Sequence, residues 1–379
     1  DQPVIPVTLQ KTAQRRGDAI AYKVKVAGEW QSTTWTDYGI EVRQAAKALI
    51  ALGLQPGQAT SIIGFNRPEW TIFHAASMSA AGIPAGIYTT NSPEELKHVV
   101  NHAEAMALLI QDDVQWQKVL QAYKEMPALT TVIVMRVFPA PTDVPDSLDV
   151  LGWDAFLALG DQVEDATLDE RLESLRPEML ATYIYTSGTT GPSKAVMLTH
   201  ENLQWTSETM LDLWELDAED VLLSYLPQSH IAEQMFCIHA PAVRGFCVAY
   251  ADSPYTVADN IKEIRPTRFF GVPRVWERFV EGLSERFAQA TGLKAKLATW
   301  ARGVGTQVTD LRNRGQEPSG LLALKYKIAN RLVFSKVKEA LGFDRTKTFL
   351  VGAAAVSPDV LDFMGSLDIN IWEIYGLSE

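Results

Sequence analysis

The sequence predicts an α/β fold in which largely parallel sheets are covered by layers of helices. Short β-rich runs alternate with amphipathic helical patterns, which is the order expected of βαβ units. The 379 residues are 47% hydrophobic and 21% charged, a globular balance that suits two or three compact units. No fixed-period repeat or low-complexity tract competes with this prediction.

The first half of the chain provides one series of elements. Thr36 is expected to cap a helix, and the apolar run at 60–65 is expected to be a buried strand. Ser92-Pro93-Glu94-Glu95 is a Ser-x-x-Glu capping box with proline at the first helical position, so a helix should begin there. Further strands are expected at 106–110 and 131–135.

A proline-rich surface loop is expected at 138–149, and a second series of elements follows Arg176-Pro177. A pair of long amphipathic helices is expected between Val275 and Leu341. The strands expected in this series lie at 182–185, 221–226, 246–250, 268–271, 348–351 and 370–374.

Charge and cysteine content narrow the class of protein. The net charge is −12, so the basic footprint of a nucleic-acid binder is missing from the chain as a whole. Residues 294–347 carry 12 basic and four acidic side chains, which indicates either solvated helix faces or a patch for an anionic ligand or membrane. Cys237 and Cys247 are too few for a disulfide framework, so we expect small core residues in a reducing, cytoplasmic compartment.

Two stretches bear on membrane targeting. Residues 70–93 carry no Asp, Glu, Lys or Arg, but Gly82, Pro84 and Gly86 interrupt them, which favours a buried helix running into a buried strand. Residues 1–17 lack the apolar core of a signal peptide.

The clearest chemical pattern is at 183–200, YIYTSGTTGPSKAVMLTH. Its glycines permit a loop whose backbone N–H groups turn inward, its hydroxyls add donors, and Lys194 adds a positive charge, as in a phosphate cradle. It is not a Walker P-loop, and the alternative interpretation is a hairpin turn. The loop residues concerned are Thr186, Ser187, Gly188, Thr189, Thr190 and Gly191.

Residues 185–194 resemble the signature loop of the adenylate-forming superfamily, which includes acyl-CoA synthetases, peptide-synthetase adenylation domains and beetle luciferases. Further motifs of that superfamily follow in the expected order at 226–234, 271–276, 352–354 and 375–379. The combination of GIYTTNSPE, LSYLPQSHIAEQ, GVPRVWER and YGLSE is most similar to the bubblegum-type long-chain fatty acyl-CoA synthetases.

The resemblance implies a fold and a reaction. The fold would be the layered α/β sandwich of the large N-terminal adenylation domain, with one sheet-plus-helix subdomain at 50–200 and another formed by 1–49 and 201–379. The reaction would be ATP-dependent activation of a long-chain fatty acid to acyl-adenylate, followed by thioester formation with coenzyme A. ATP, Mg²⁺ and coenzyme A would be the cofactor and co-substrates.

The resemblance also implies the roles of single residues. Lys194 and the loop would neutralise the β- and γ-phosphates, and Thr186 and Glu379 would hold Mg²⁺ through hard oxygen ligands. His230 would line the place where carboxylate meets α-phosphate, although an isolated buried histidine is often structural. Thr186, Lys194, His230 and Glu379 form the implied catalytic set. The residues implied at the adenine and at the closure of the nucleotide site are Gly352, Ala353, Ala354, Tyr375, Gly376 and Ser378.

Some residues depart from the family pattern. Ser193 and Ala195 replace a usual proline and glycine beside the loop lysine, and Gln234 stands where some long-chain enzymes have a gating tryptophan. Family members continue beyond the position of Glu379 into a smaller C-terminal domain. A polypeptide ending at Glu379 is therefore expected to be inactive.

Several alternatives stay open from sequence alone. The protein could be a fatty acyl-AMP ligase that delivers to a carrier protein, or a non-catalytic relative that binds acyl groups or nucleotide. His98 and His102 lie four residues apart on a predicted helix, and we expect surface positions for them, because Val99 replaces the glutamate of a metalloprotease motif. Peripheral membrane contact is an expectation, and the oligomeric state is not predicted.

Overall fold

The computed structural model describes residues 3–186 and 191–379, which form two units. The first unit comprises the chain up to Glu219 together with Ser224–Pro254 and Ser378–Glu379. The second comprises Asp220–Leu223 and Tyr255–Leu377. The subdomain boundaries expected at residues 50 and 200 stay a prediction.

The strands are numbered in chain order. They are β1 (Ile20–Val26), β2 (Glu29–Thr34), β3 (Ala59–Ile63), β4 (Ile83–Ile87), β5 (Ala107–Ile110), β6 (Thr131–Val134), β7 (Asp149–Gly152), β8 (Leu180–Thr186), β9 (Lys194–Thr199), β10 (Val221–Ser224), β11 (Cys247–Tyr250), β12 (Arg268–Gly271), β13 (Thr348–Val351) and β14 (Ile371–Glu373).

The helices are numbered in the same way. They are α1 (Ile5–Arg16), α2 (Trp35–Ala51), α3 (Pro68–Ser79), α4 (Pro93–Ala103), α5 (Asp113–Ala122), α6 (Trp153–Leu159), α7 (Asp165–Ser174), α8 (His200–Leu213), α9 (Ile231–Gln234), α10 (Ala240–Arg244), α11 (Val257–Ile264), α12 (Pro273–Ala288), α13 (Gly292–Arg312), α14 (Gly320–Ala329), α15 (Ser335–Leu341) and α16 (Pro358–Gly365). Short 3₁₀ turns occupy Tyr123–Glu125 and Gly160–Gln162, and π-helical turns occupy Met235–His239 and Asn330–Phe334.

A seven-stranded sheet dominates the first unit, with the order β7-β6-β5-β3-β4-β8-β9. Its neighbouring strands are parallel except for the antiparallel pair β8 and β9. Strands β3 to β6 are buried along their whole length, as expected of a parallel sheet covered on both faces. The predicted α/β class with a largely parallel sheet is confirmed.

Helix α3 and strand β4 account for the uncharged stretch near residue 80. Every residue of α3 is buried, and so is every residue of β4. The predicted buried helix leading into a buried strand is therefore confirmed. In the part of the chain that the structure describes, each helix is too short or too polar to cross a bilayer.

Two smaller sheets complete the described chain. One contains β11, β1 and β2, in which β1 runs parallel to β11 and antiparallel to β2. The other, in the second unit, is the parallel sheet β12-β13-β14. Both cysteines are free and buried, as predicted for small core residues.

Of the two predicted helix caps, one is confirmed and the other is wrong. The capping box before α4 is confirmed: the Ser92 hydroxyl accepts from the Glu95 N–H, and the Glu95 carboxylate accepts from the Ser92 N–H. The cap of α2 is Thr34 rather than Thr36, because the Thr34 hydroxyl accepts the Asp37 N–H at 3.1 Å and Thr36 lies within the helix.

Candidate active site

A cavity of about 700 Å³ lies at the carboxyl ends of β4 and β8. These strands run parallel, so Tyr88 after β4 and Thr186 at the end of β8 open on the same edge of the sheet. Ligands of parallel α/β sheets bind at this edge, in the crevice outside the strand ends. The other described lining residues are Gly86, Thr90, Asn91, Glu94, Glu95, His98, Tyr185, Gly191, Pro192, Ser193, His230 and Ser378.

The predicted phosphate loop connects β8 to β9 at the rim of this cavity. Thr186 and Lys194 lie directly opposite each other in the antiparallel pair. Thr186 is half-buried and lines the cavity, whereas Lys194 is exposed. Gly191 has φ +97°, the left-handed region that favours glycine. The loop is thus the connection of a hairpin, and both of its described ends face the cavity.

Four residues of that loop lie outside the described residues. They are Ser187, Gly188, Thr189 and Thr190, whose predicted contact with phosphate stays a prediction.

Two histidines of α4 hold the base of the loop on both sides. The His98 Nε2–H donates to the carbonyl oxygen of Ser193 at 2.8 Å, which fixes the proton on that nitrogen. His102 Nδ1 pairs with the Tyr185 hydroxyl at 2.8 Å, and the two rings meet edge to face. The predicted surface position holds for His102 and is wrong for His98, which is half-buried and lines the cavity.

His230 reaches the cavity because the chain before it passes close to β4. A Cβ atom on Gly86 would lie 2.8 Å from the Ser229 Cα, so only glycine allows this approach. His230 caps α9, and its Nδ1 accepts the Ala232 N–H at 3.2 Å. Burial lowers the pKa of His230 below its ordinary value. The ring is therefore neutral near pH 7 and carries its proton on Nε2.

Glu233, three residues after His230, is buried in the first unit and anchors the segment that carries His230. One of its carboxylate oxygens accepts from the Ser224 hydroxyl at 2.7 Å, the Tyr225 N–H at 3.0 Å, the Asn66 amide at 3.2 Å and the Cys237 thiol at 3.3 Å. Burial raises the pKa of Glu233 to about 7. This convergence of donors fixes the turn between β10 and α9 from which His230 projects.

Glu233 and His98 are the functional candidates that sequence reasoning missed. A carboxylate within the short motif LPQSHIAEQ could have indicated a buried hydrogen-bonding centre, since buried charges require partners. The four-residue spacing of His98 and His102 marked His98 but led to a surface position, because its partner Ser193 lies 95 residues away in the chain.

The end of the chain places two oxygen-bearing side chains, Ser378 and Glu379, in the first unit. Ser378 is half-buried and lines the cavity, and Glu379 is exposed. Among residues 3–186 and 191–379, no group of three or more histidine, cysteine or acidic side chains could hold a metal ion. Thr186 and Glu379 supply hard oxygen donors of the kind that Mg²⁺ uses when phosphates and water complete its shell.

The residues expected at the adenine belong to the second unit. Gly352, Ala353 and Ala354 follow β13, and a Cβ atom on Gly352 would lie 2.7 Å from Ile374 Cγ1. The Ile374 N–H donates to the Val351 carbonyl at 2.8 Å, which holds this segment beside β13. Tyr375 is 92% exposed, and Gly376 is also exposed. An exposed ring next to close-packed backbone is a surface on which a planar base could lie.

Comparison with known proteins gives a consistent result. The family described as "AMP-binding enzyme" matches residues 9–379. The long-chain-fatty-acid–CoA ligase ACSBG2 of Xenopus laevis is 37% identical over 99% of this chain and 51% of its own length. The human ACSBG2 ligase is 36% identical over 99% of this chain and 56% of its own length. The chain thus spans about half the length of these curated relatives.

Solved structures with this fold include the A-PCP didomain of carboxylic acid reductase from Segniliparus rugosus in complex with AMP. It has a TM-score of 0.71 and 16% identity, and the match covers 100% of this chain and 53% of that one. At this identity the likeness concerns the fold, and it confirms the predicted layered α/β architecture.

Proposed function

The chain belongs to the AMP-binding enzyme family, and on that premise we propose that it is the nucleotide-binding part of an AMP-forming long-chain fatty acid–CoA ligase. The identity of 36–37% to ligases of that name over 99% of the chain supports the substrate class. The observation that carries the reaction type is the cavity that Thr186 and His230 line, with Lys194 paired opposite Thr186 in the β8–β9 hairpin.

The proposed reaction has two steps. A carboxylate oxygen of the fatty acid attacks the α-phosphorus of ATP, and the bond to the pyrophosphate oxygen breaks, which gives acyl-adenylate and pyrophosphate. The thiolate of coenzyme A then attacks the acyl carbon, and AMP leaves. The first step brings an anion to a polyanion, so positioning and charge neutralisation must supply most of the rate.

Lys194 and the loop residues are proposed to neutralise the phosphates. The β8–β9 pairing sets the exposed ammonium of Lys194 across the hairpin from the Thr186 hydroxyl. Two donors on opposite sides of one loop can contact two oxygens of the same polyphosphate. His98 supports this arrangement by holding the carbonyl next to Lys194.

Thr186 lines the cavity and Glu379 directly follows Ser378, which also lines it, and both supply the hard oxygen donors that suit a magnesium ion. Thr186 and Glu379 would hold it, in keeping with its preference for one or two protein oxygens plus phosphates and water. When bound, the ion would neutralise phosphate charge and draw electrons towards the leaving pyrophosphate.

His230 is proposed to orient the reacting carboxylate. Because its Nδ1 is occupied by the Ala232 N–H, a neutral ring presents Nε2–H as a donor. A neutral donor fixes an oxygen without transferring a proton to the nucleophile, which must stay ionised to attack. Roles at the adenine and at the closure of the nucleotide site are proposed, on the family resemblance and on the local geometry, for Gly352, Ala353, Ala354, Tyr375, Gly376 and Ser378.

The acceptor of the acyl group is tested with the intact protein. After incubation with ATP and palmitate, either coenzyme A or an acyl carrier protein is added, and the products are separated by mass spectrometry. We expect palmitoyl-CoA. Transfer to the carrier protein alone would assign the protein to the fatty acyl-AMP ligases, and no acyl product with either thiol would favour a non-catalytic relative.

The proposal includes the cellular location of the protein. We propose a cytoplasmic location with peripheral contact to membranes, because a long-chain fatty acid partitions into bilayers and residues 294–347 carry an excess of basic side chains.

A further inference from the structure

The second unit exposes a row of large apolar side chains on α14 and the π-helical turn after it. Leu321 is 68% exposed, Leu324 55%, Ile328 43% and Leu332 40%. Their spacing of three, four and four residues puts them along one side of the helix, and we call this side the α14 face. Soluble surfaces carry single exposed leucines often, but a continuous row of four marks a contact surface.

The opposite side of the same helix is already packed. Ala329, Val333 and Phe334 are buried in a small core with the α13 residues Ala301 and Val304. This core fixes the rotation of α14, because turning the helix to hide the α14 face would expose Phe334. The exposed row is therefore a stable feature of the second unit.

The charged side chains of the segment that carries the α14 face have one sign. Residues 320–338 contain five basic side chains and no acidic one. The Nζ of Lys338 lies 2.6 Å from a carboxylate oxygen of Asp368, with which it forms an ion pair. The four exposed basic residues that flank the row are Lys325, Lys327, Arg331 and Lys336.

We propose that the α14 face docks on the surface of an anionic lipid bilayer. Helices that lie in the membrane interface combine an apolar row, which enters the acyl boundary, with lysines and arginines that meet the headgroups. A second copy of the chain fits less well, because a two-fold contact through this face would bring basic flank against basic flank. This inference rests on the membrane contact proposed above, to which it assigns a surface, and it does not depend on the proposed reaction.

The test is flotation of the intact protein with lipid vesicles, without ATP. The probes are phosphatidylcholine vesicles with and without phosphatidylserine. We expect recovery with the anionic vesicles only, and a decline as salt is raised, since exposed charges are screened. Equal recovery with both vesicle types, or none with either, would overturn the proposal.

Variants separate the apolar and the basic contributions. Lys325→Ser, Lys327→Ser and Arg331→Ser together should weaken vesicle binding by about fivefold per charge. Leu324→Glu with Ile328→Glu should weaken it at least about tenfold. The matched control is Leu213→Glu, which alters a residue of α8 that is 69% exposed. If the control loses as much binding as the double variant, the assignment to the α14 face is wrong.

Two further measurements keep the alternatives apart. The double variant should keep the wild-type melting temperature, and it should form acyl-CoA from detergent-solubilised palmitate at the wild-type rate, since neither residue lines the cavity. Sedimentation without lipid should show no change in mass between wild type and double variant. If the wild type is a dimer, the double variant is a monomer and the wild type does not bind vesicles, the α14 face contacts a second copy of the chain and not a bilayer.

Discussion

At the scale of the residue, Lys194 and Glu379 carry the proposed charge chemistry. Replacing either by alanine in the intact protein should lower palmitate-dependent ATP–pyrophosphate exchange by about 10²–10³-fold, the usual loss when one group that stabilises transition-state charge is removed. Lys124→Ala, at an exposed lysine away from the cavity, is the control. Exchange by Lys194→Ala or Glu379→Ala at the control rate would remove these residues from the mechanism.

Glu233 gives the molecule a pH-dependent term in its stability. Burial raises the pKa of Glu233 to about 7 from its ordinary value of 4.5, so the native state keeps a proton that the unfolded chain releases. Wild-type stability should therefore fall as pH rises from about 5 to about 8, by up to about 3 kcal/mol from this group. Glu233→Gln cannot titrate and should lack that decline.

Urea unfolding of wild type and Glu233→Gln at about pH 5 and about pH 8 measures this change in the free energy of unfolding. Glu170→Gln, at an exposed carboxylate of α7, should follow the wild-type profile. Parallel pH profiles for wild type and Glu233→Gln would show that the carboxylate is ionised in the native state throughout.

The residues that sequence could identify are those carried by short motifs. Thr186 and Lys194 stand in a run whose composition indicates a phosphate cradle, and His230 stands in a motif that the family resemblance marks. Thr186 and His230 line the same cavity, and Lys194 pairs with Thr186 across the hairpin. The partners that position them come from distant parts of the chain. Asn66 and Glu233 lie 167 residues apart, so local patterns give no sign of their hydrogen bond.

At the scale of the element, α4 acts as a support for the loop between β8 and β9. His98→Ala removes the hydrogen bond to the Ser193 carbonyl and should raise the KM for ATP by about five- to tenfold, with a smaller effect on kcat. His98→Gln keeps an N–H donor and should recover part of the affinity. A lower melting temperature with an unchanged KM for ATP would reduce His98 to a structural role.

Alanine substitutions at two glycines test the contact between β4 and the segment before α9. Gly86→Ala puts a methyl group 2.8 Å from the Ser229 Cα, which forces the backbone apart. It should cost about 1–3 kcal/mol of stability and displace His230, so pyrophosphate exchange should fall as well. Gly152→Ala is the matched control, because nothing lies within 4 Å of its added carbon. Similar unfolding free energies for the two variants would refute the close approach.

Among the elements, the buried strands and the capping box of α4 follow from sequence because their patterns are local. The hairpin of β1 and β2 was not predicted. Strand β2 has no buried residue and pairs only with β1, so its sequence, EWQSTT, carries no hydrophobic alternation. The boundary between the two units follows from long-range packing and has no compositional marker.

At the scale of the whole molecule, the chain spans about half the length of its curated relatives, 51% and 56% for the two ACSBG2 ligases. Activity, substrates and partners therefore belong to the intact protein, and so do the experiments. The expectation that a polypeptide ending at Glu379 forms no acyl-CoA stays a prediction.

Exchange of labelled pyrophosphate into ATP by the intact protein tests the central claim most directly, because it reports acyl-adenylate formation before any thiol takes part. The proposed function predicts exchange that requires a long-chain fatty acid such as palmitate and Mg²⁺, with palmitoyl-AMP detected by mass spectrometry. Exchange that does not respond to fatty acid, or that responds equally to acetate or to an amino acid, would contradict it.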